Sequence, residues 1–316
     1  MHQTDHAPSA AADEMRPAPF RRLPGLALAL PVLSLALVGA LAVAASVGGR
    51  GSSPVAGPTA SAPARANDAT VSLGRIAAAA MKADTMPVRG DQFGYVQRLT
   101  RQNTGEFGAP ARLGAAHKEE VWQAQGPGRA VTTGWLRSSG KDAVMPGQLI
   151  PVTSPSPVGP GLWHPTYAWL ASLPTDADVL LDRLHAETTV GKGESEDEAV
   201  FRTIGDLLGG VVMPPVTASA LYRAVAMIPG VTWVPDAVDA AGRHGIGITR
   251  EDGASVTRSV LIFDRTTLAY TGSQVYFTRP GARGTGAAGD VLFHIDAVVE
   301  RGVVDRHGEV PKGAVG

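Results

Sequence analysis

Apolar positions along this 316-residue chain follow three patterns, and each marks a different kind of element. The first is an unbroken run. Between Arg22 and Arg50 lie 27 uncharged residues, LPGLALALPVLSLALVGALAVAASVGG. At 1.5 Å of rise per residue, Leu26 to Val47 alone reaches about 33 Å, enough to cross a hydrocarbon layer of roughly 30 Å. The second pattern is a three- and four-residue recurrence, which marks one face of a helix. Leu73, Ile76, Ala77, Ala80 and Met81 follow it, with Ser72 as N-cap. Val179, Leu180 and Leu184 do so in LPTDADVLLDRLH, capped by Thr175 or Asp176. Val200, Ile204, Leu207 and Leu208 form the stripe of SEDEAVFRTIGDLLGG, whose first-turn acids suit the helix dipole and whose end is marked by Gly209. Leu221, Ala224, Val225 and Ile228 do so in PPVTASALYRAVAMIPG.

The third pattern is alternation, the signature of strands. Phe93, Tyr95 and Leu99 share one face of DQFGYVQRLTR, which leaves Arg98 outward and Arg101 at the strand's end, both solvated. Val121-Trp122 and the run RAVTTGWLR, with Val131, Thr133 and Trp135 on one face, flank the turn Gln125 to Gly128 and read as a hairpin. The last third is a series of short alternating runs: VTWVPDAV, HGIGIT, VTRSVLIF, LAYTGSQVYF and VLFHIDAVVERGVV. Val260 to Phe263 is apolar on both faces and predicts a central strand, with Asp264 to Thr267 as the following hairpin tip. Residues 137–165 carry Pro146, Pro151, Pro155, Pro157, Pro160 and Pro165, which exclude a continuous helix or a central strand and predict a loop.

These patterns predict an α+β fold: a curved antiparallel sheet with packed helices, preceded by one transmembrane helix. The expected order is a cytoplasmic tail over 1–22, a span over 23–49, a flexible breaker-rich linker over 50–70, an extracytoplasmic domain over 71–305 and a disordered end over 306–316. A cleaved secretory signal is the competing reading of the apolar run, with Ala40-Leu41-Ala42 or Ala42-Val43-Ala44 as cleavage sites. The run is long for a signal core and follows a polar tail, which favours an uncleaved span. Arg16, Arg21 and Arg22 before it, against Arg50 and Arg65 after it, place the N-terminus inside and the large domain outside.

Composition narrows the function. The formal net charge is −1 and no basic stripe is present, so nucleic acid is not implied as a partner. The chain has no cysteine, which excludes disulfides, thiolate catalysis and cysteine-ligated metal.

Candidate chemistry is sparse. Gly284 to Gly289, GTGAAG, spells G-x-G-x-x-G, but a dinucleotide site needs a helix N-terminus after it, and the strand VLFHID follows instead. Ser138 to Lys141 fits S-x-x-K, yet Gly140 argues against the helix that would align serine and lysine, and no companion motif occurs. The eight histidines are His2, His6, His117, His164, His185, His244, His294 and His307; only His2 and His6, in the tail, show helical metal spacing. His294 and Asp296 share one face of the last strand, either as half of a relay or as a satisfied pair. Glu194, Glu196, Asp197 and Glu198 lack the regular spacing of a calcium loop and read as a charged helix start. Trp122, Trp135, Trp163, Tyr167 and Trp169 read as core, with an apolar groove for an acyl chain or peptide as the alternative. No catalytic, cofactor-binding or metal-binding residue is assigned.

Three segments, ALYRAVAMIPGV (220–231), VDAAGRHGIGIT (238–249) and SVLIFDRTTLAYTG (259–272), carry a resemblance to a family of actinobacterial single-pass membrane proteins often encoded beside extracytoplasmic-function sigma factors. Members usually show Asp-Pro at the hairpin tip, where this chain has Asp264-Arg265. The helix-plus-sheet pattern also resembles lipoprotein-carrier folds and the sensor domains built on them. The resemblance implies a regulatory neighbourhood. The tethered topology, the absence of a catalytic constellation and the aromatic cluster point to a membrane-anchored binding or sensor module accessory to envelope-stress sigma-factor signalling, with a regulatory protein partner or a lipid or peptide ligand. The alternatives are a cell-envelope hydrolase with a site around His294 and a structural envelope protein.

Overall fold

The computed structural model describes residues 62–105, 111–141, 143, 145–253, 255–278 and 290–312. The tail, the apolar run at 23–49 and the glycine motif at 284–289 lie outside the described residues. Among the described residues, no helix is long and apolar enough to cross a membrane.

The chain enters as α1 (Ala62–Ala80) and then forms the meander β1 (Phe93–Gln102), β2 (His117–Ala124), β3 (Ala130–Ser139) and β4 (Leu149–Val158). Four helices follow: α2 (Tyr167–Ala171), α3 (Ala177–Glu187), α4 (Glu196–Gly210) and α5 (Pro215–Val225). A second meander, β5 (Val231–Val238), β6 (His244–Arg250), β7 (Thr257–Asp264), β8 (Tyr270–Phe277) and β9 (Val291–Val304), completes the domain. The nine strands make one sheet in the order β4-β3-β2-β1-β9-β8-β7-β6-β5, every neighbouring pair antiparallel. This is the α+β architecture of an antiparallel sheet with packed helices.

The strand order explains where the helices lie. β4 and β5 are opposite edges of the sheet, so the chain joining them must traverse its full width. It does so as α2–α5 across one face, beginning where His164 Nε2 donates to the Ala124 carbonyl at 2.8 Å and Tyr167 N donates to Gln125 Oε1 at 2.7 Å. The main core forms there: Leu73 and Ile76 of α1, Leu180 and Leu184 of α3, the α4 stripe and Leu221 and Val225 of α5 meet Val96, Val231, Ile248, Leu261, Phe263 and Val298 of the sheet. Successive strand residues point to opposite faces. Tyr95, Trp122 and Val304 therefore form a small separate cluster on the outer face, and Ala237, Val260 and Ile262 form another.

Several sequence expectations need correction. The first helix begins at Ala62, inside the expected linker. Alanine is the best helix former, proline is tolerated in a first turn, and Ala69 is buried in the core. The segment 137–165 is not all loop: β3 runs to Ser139, and β4 forms with Pro151, Pro155 and Pro157 in it. An edge strand needs hydrogen bonds on one side only, so the prolines dictate its place rather than forbid it. Val179 is 55% exposed and does not share the buried face of Leu180 and Leu184. Residues 306–312, expected to be disordered, lie on the outer face. There His307 stacks on Trp135 with ring centroids 3.9 Å apart, Trp122 Nε1 donates at 2.5 Å to the Glu309 carbonyl, and Gly302 leaves room for Pro311.

Candidate functional site

On the helix-facing side of the sheet, apolar residues give way to charged ones toward the end where β1 leaves and β9 enters. Along β1 the inward positions run Val96, Arg98, Thr100. Along β2 they run Val121, Glu119, His117, and along β9 Val298, Asp296, His294. Antiparallel register turns these columns into rows. Arg98 sits opposite Glu119 on one side and Val298 on the other, while Thr100 sits between His117 and Asp296, and Asp296 faces Ser273 of β8. A β-bulge beside Gln97 and Arg98, which leaves Val299 unpaired, brings Asp296 and His294 onto the inward face.

The rows are bonded. Arg98 Nη2 lies 3.2 Å from Glu119 Oε2, and His117 Nε2 lies 3.5 Å from Glu119 Oε1. His117 Nε2 is also 2.7 Å from the Thr100 hydroxyl. Ser273 Oγ donates to Asp296 Oδ2, which His294 Nε2 approaches only to 3.9 Å. Burial alone would raise the Glu119 carboxyl, but His117 and Arg98 hold it at about 2, so it carries charge. Burial pulls the His294 imidazole toward the neutral form, against the attraction of Asp296. Among the described residues, three buried polar atoms of this cluster have no hydrogen-bond partner: Arg98 Nε, His294 Nδ1 and Asp296 Oδ1. Each such atom costs on the order of 1–3 kcal/mol, so a group that offers both a donor and an acceptor would recover part of that cost.

Arg98 is thus an inward residue, not the solvated one expected, and Arg101 is tied down by donating from Nε to the Gly114 carbonyl at 3.0 Å. His294 and Asp296 do come together, with Ser273, Thr100, His117 and Glu119, none of which the sequence singled out for chemistry beyond naming His117 among the histidines. The available signal was polar residues of opposite charge at inward positions of two strands, and it becomes legible only once the register is known.

Comparison of the chain with protein-family models, curated proteins and solved structures found no match. Function must be read from the geometry.

That geometry does not resemble an acyl-transfer centre. A serine nucleophile needs hydrogen-bond contact with its base, and Ser273 Oγ is bonded to a carboxylate instead. Among the described residues, no three His, Asp or Glu side chains are placed to hold a metal ion. Ser138 and Ser139 end β3, and Gly140 has φ +116°, so Lys141 is not one helical turn beyond Ser138. The five aromatic residues do not form one cluster. Trp122 and Trp135 belong to the outer face, Trp169 leans on the main core, and Trp163 is 64% exposed. Of the acidic run, Glu194 is paired with Arg202 at 2.8 Å and Asp197 lies 3.5 Å from His185, while Glu198 is buried.

Proposed function

We propose that this chain is a single-pass membrane protein whose extracytoplasmic domain is a binding or sensor module, accessory to envelope-stress sigma-factor signalling. Its sheet curves around the helices and offers the polar end of β1, β2 and β9 to a ligand or a regulatory partner. The observation that carries this reading is the inward set of Arg98, His294 and Asp296, each with a buried polar atom lacking a partner. Placing charge on the helix-facing side of a sheet is costly for stability and useful for recognition. The mixed charges favour a polar group over an acyl chain. The 27-residue uncharged run and the arginine bias around it support the tethered topology.

Two measurements test this. Protease added to intact cells should digest residues 62–312 while cytosolic proteins survive; protection of that region overturns the topology. Native mass spectrometry of the full chain released from membranes should show a bound molecule or protein that is lost in Asp296→Ala and in Arg98→Ala while the circular dichroism spectrum is kept. A wild-type chain carrying nothing, or variants that retain the bound species, overturns the site.

A further inference from the structure

A second charged cluster lies at the start of α4, among α3, the end of β6 and the turn after it. Ser195 caps the helix by accepting from Glu198 N at 3.3 Å. The Glu198 side chain turns inward and is 1% exposed, and among the described residues neither carboxylate oxygen has a well-formed hydrogen bond. Its nearest cation is Arg250, whose Nη1 is 3.5 Å away. That guanidinium is already engaged: Nη1 donates to Asp252 Oδ2 at 2.7 Å and to Ser195 Oγ at 3.1 Å, Nη2 reaches Asp197 at 3.4 Å, and Nε donates to the Pro229 carbonyl at 2.9 Å.

Among the described residues, acidic groups outnumber basic ones around this point. Facing this point are Glu194, Asp197 and Glu198 from the start of α4, Arg202 and Asp206 from its second and third turns, and His185 from α3. Arg250, Glu251 and Asp252 face it from β6 and its turn. Arg202 pairs with Glu194 at 2.8 Å and with Asp206 at 3.3 Å. Arg250 lies within 4 Å of three carboxylates, those of Asp197, Glu198 and Asp252. The α4 N-terminus stabilises only part of that negative charge.

We propose that Glu198 is a proton-operated latch between the helical layer and the β6–β7 turn. Neutral, it stays packed under Arg250 and holds α4 against the turn. Ionised, it competes with Asp197 and Asp252 for one guanidinium, and the junction between residues 190–202 and 250–257 opens to admit water. Burial is the main reason that its carboxyl holds its proton up to about 7, Arg250 opposing and Glu194 and Asp252 adding to it. The closed form binds the proton more tightly than an open form with an ordinary carboxyl. The latch is therefore closed at low pH and loses strength as pH rises through neutrality.

Hydrogen exchange on the full chain in nanodiscs, at pH 6 and pH 8 with rates corrected for intrinsic chemistry, reads the latch directly. Peptides covering 190–202 and 250–257 should lose about tenfold in protection from pH 6 to pH 8. Glu198→Gln should abolish that step, and His185→Gln should leave it intact. Carbon-detected NMR of labelled glutamate should show one carboxyl with a midpoint near neutrality, missing in Glu198→Gln. An unchanged step in Glu198→Gln, loss of the step in His185→Gln alone, or no carboxyl titrating near neutrality would each overturn the proposal.

Discussion

Glu120 on the outer face of the sheet and Glu198 at the start of α4 have side chains that are each 1% exposed, yet their surroundings push them in opposite directions. Arg137 grips Glu120 with two hydrogen bonds, at 2.8 and 2.9 Å, while Lys118 stands 3.3 Å away and the Tyr95 hydroxyl donates at 3.0 Å. Burial works to raise its carboxyl, but the Arg137 guanidinium and the other donors prevail and hold it below the usual range. Arg137 and Lys118 remain 28% and 40% exposed, so they screen Glu120 with their own stems and keep their heads near water. Among the described residues, the nearest cation to Glu198 is Arg250, which also bonds Asp197 and Asp252, and neither Glu198 oxygen has a well-formed hydrogen bond. Solvent exclusion is common to both; the number of donors each carboxylate can claim decides its charge.

The largest effect should come from removing the shared cation. Arg250→Ala leaves Asp197, Glu198 and Asp252 without their guanidinium and should cost about 3–5 kcal/mol at pH 8 by urea unfolding. Arg137→Ala should cost less, about 2 kcal/mol, because Lys118 and Tyr95 still serve Glu120. Equal losses would mean that donor count is not what separates the two sites. Glu119, in the polar cluster of β1, β2 and β9, supplies an intermediate case. Its folded carboxyl titrates at about 2, below the ordinary value of 4.5, so it adds stability above that ordinary value and loses it as pH falls. Between pH 7 and pH 3 the wild type should lose about 2 kcal/mol more stability than Glu119→Gln does. The sign is opposite to that at Glu198, where stability falls as pH rises through neutrality.

The α4 stripe of Val200, Ile204, Leu207 and Leu208 and the doubly apolar β7 were legible in the sequence because local periodicity alone determines them. The antiparallel last third was legible for the same reason. β4 was not, because prolines erase the strand pattern unless the strand is known to lie at an edge. The polar cluster was half legible. His294 and Asp296 share a strand, so alternation places them together, but the Arg98–Glu119 pair joins residues on two strands and needs their register. Arg98 was misplaced because a charged residue in an amphipathic strand reads as solvent-facing. The binding of Trp122 and Trp135 by residues 306–312 rests on one carbonyl and one stacked ring, which leave no periodic trace. Glu198 was hidden for a related reason: three acids in a first turn satisfy the helix-dipole rule whichever way each one points.

The smallest predicted effect calibrates the others. Asp176 is an exposed carboxylate that caps α3 by accepting from Asp178 N and Val179 N, each at 3.1 Å. Replacing it with alanine removes the acceptor for two end-of-helix amides and should cost about 1 kcal/mol, measured as a shift in the urea midpoint at unchanged slope. Asp176→Asn keeps an oxygen acceptor at the same place and should recover most of that loss. The amide exchange then separates three kinds of carboxylate by sign. It is nearly neutral at Asp176, where only an acceptor is needed, and destabilising at Glu120, where charge meets dedicated donors. At Glu198 it is stabilising above neutral pH, because it removes a charge that the site cannot accommodate. An asparagine at 176 as damaging as alanine would show that the charge itself, acting on the helix dipole, matters more than the hydrogen bonds. The contrast between Glu120 and Glu198 would then have to be redrawn in terms of field rather than donors.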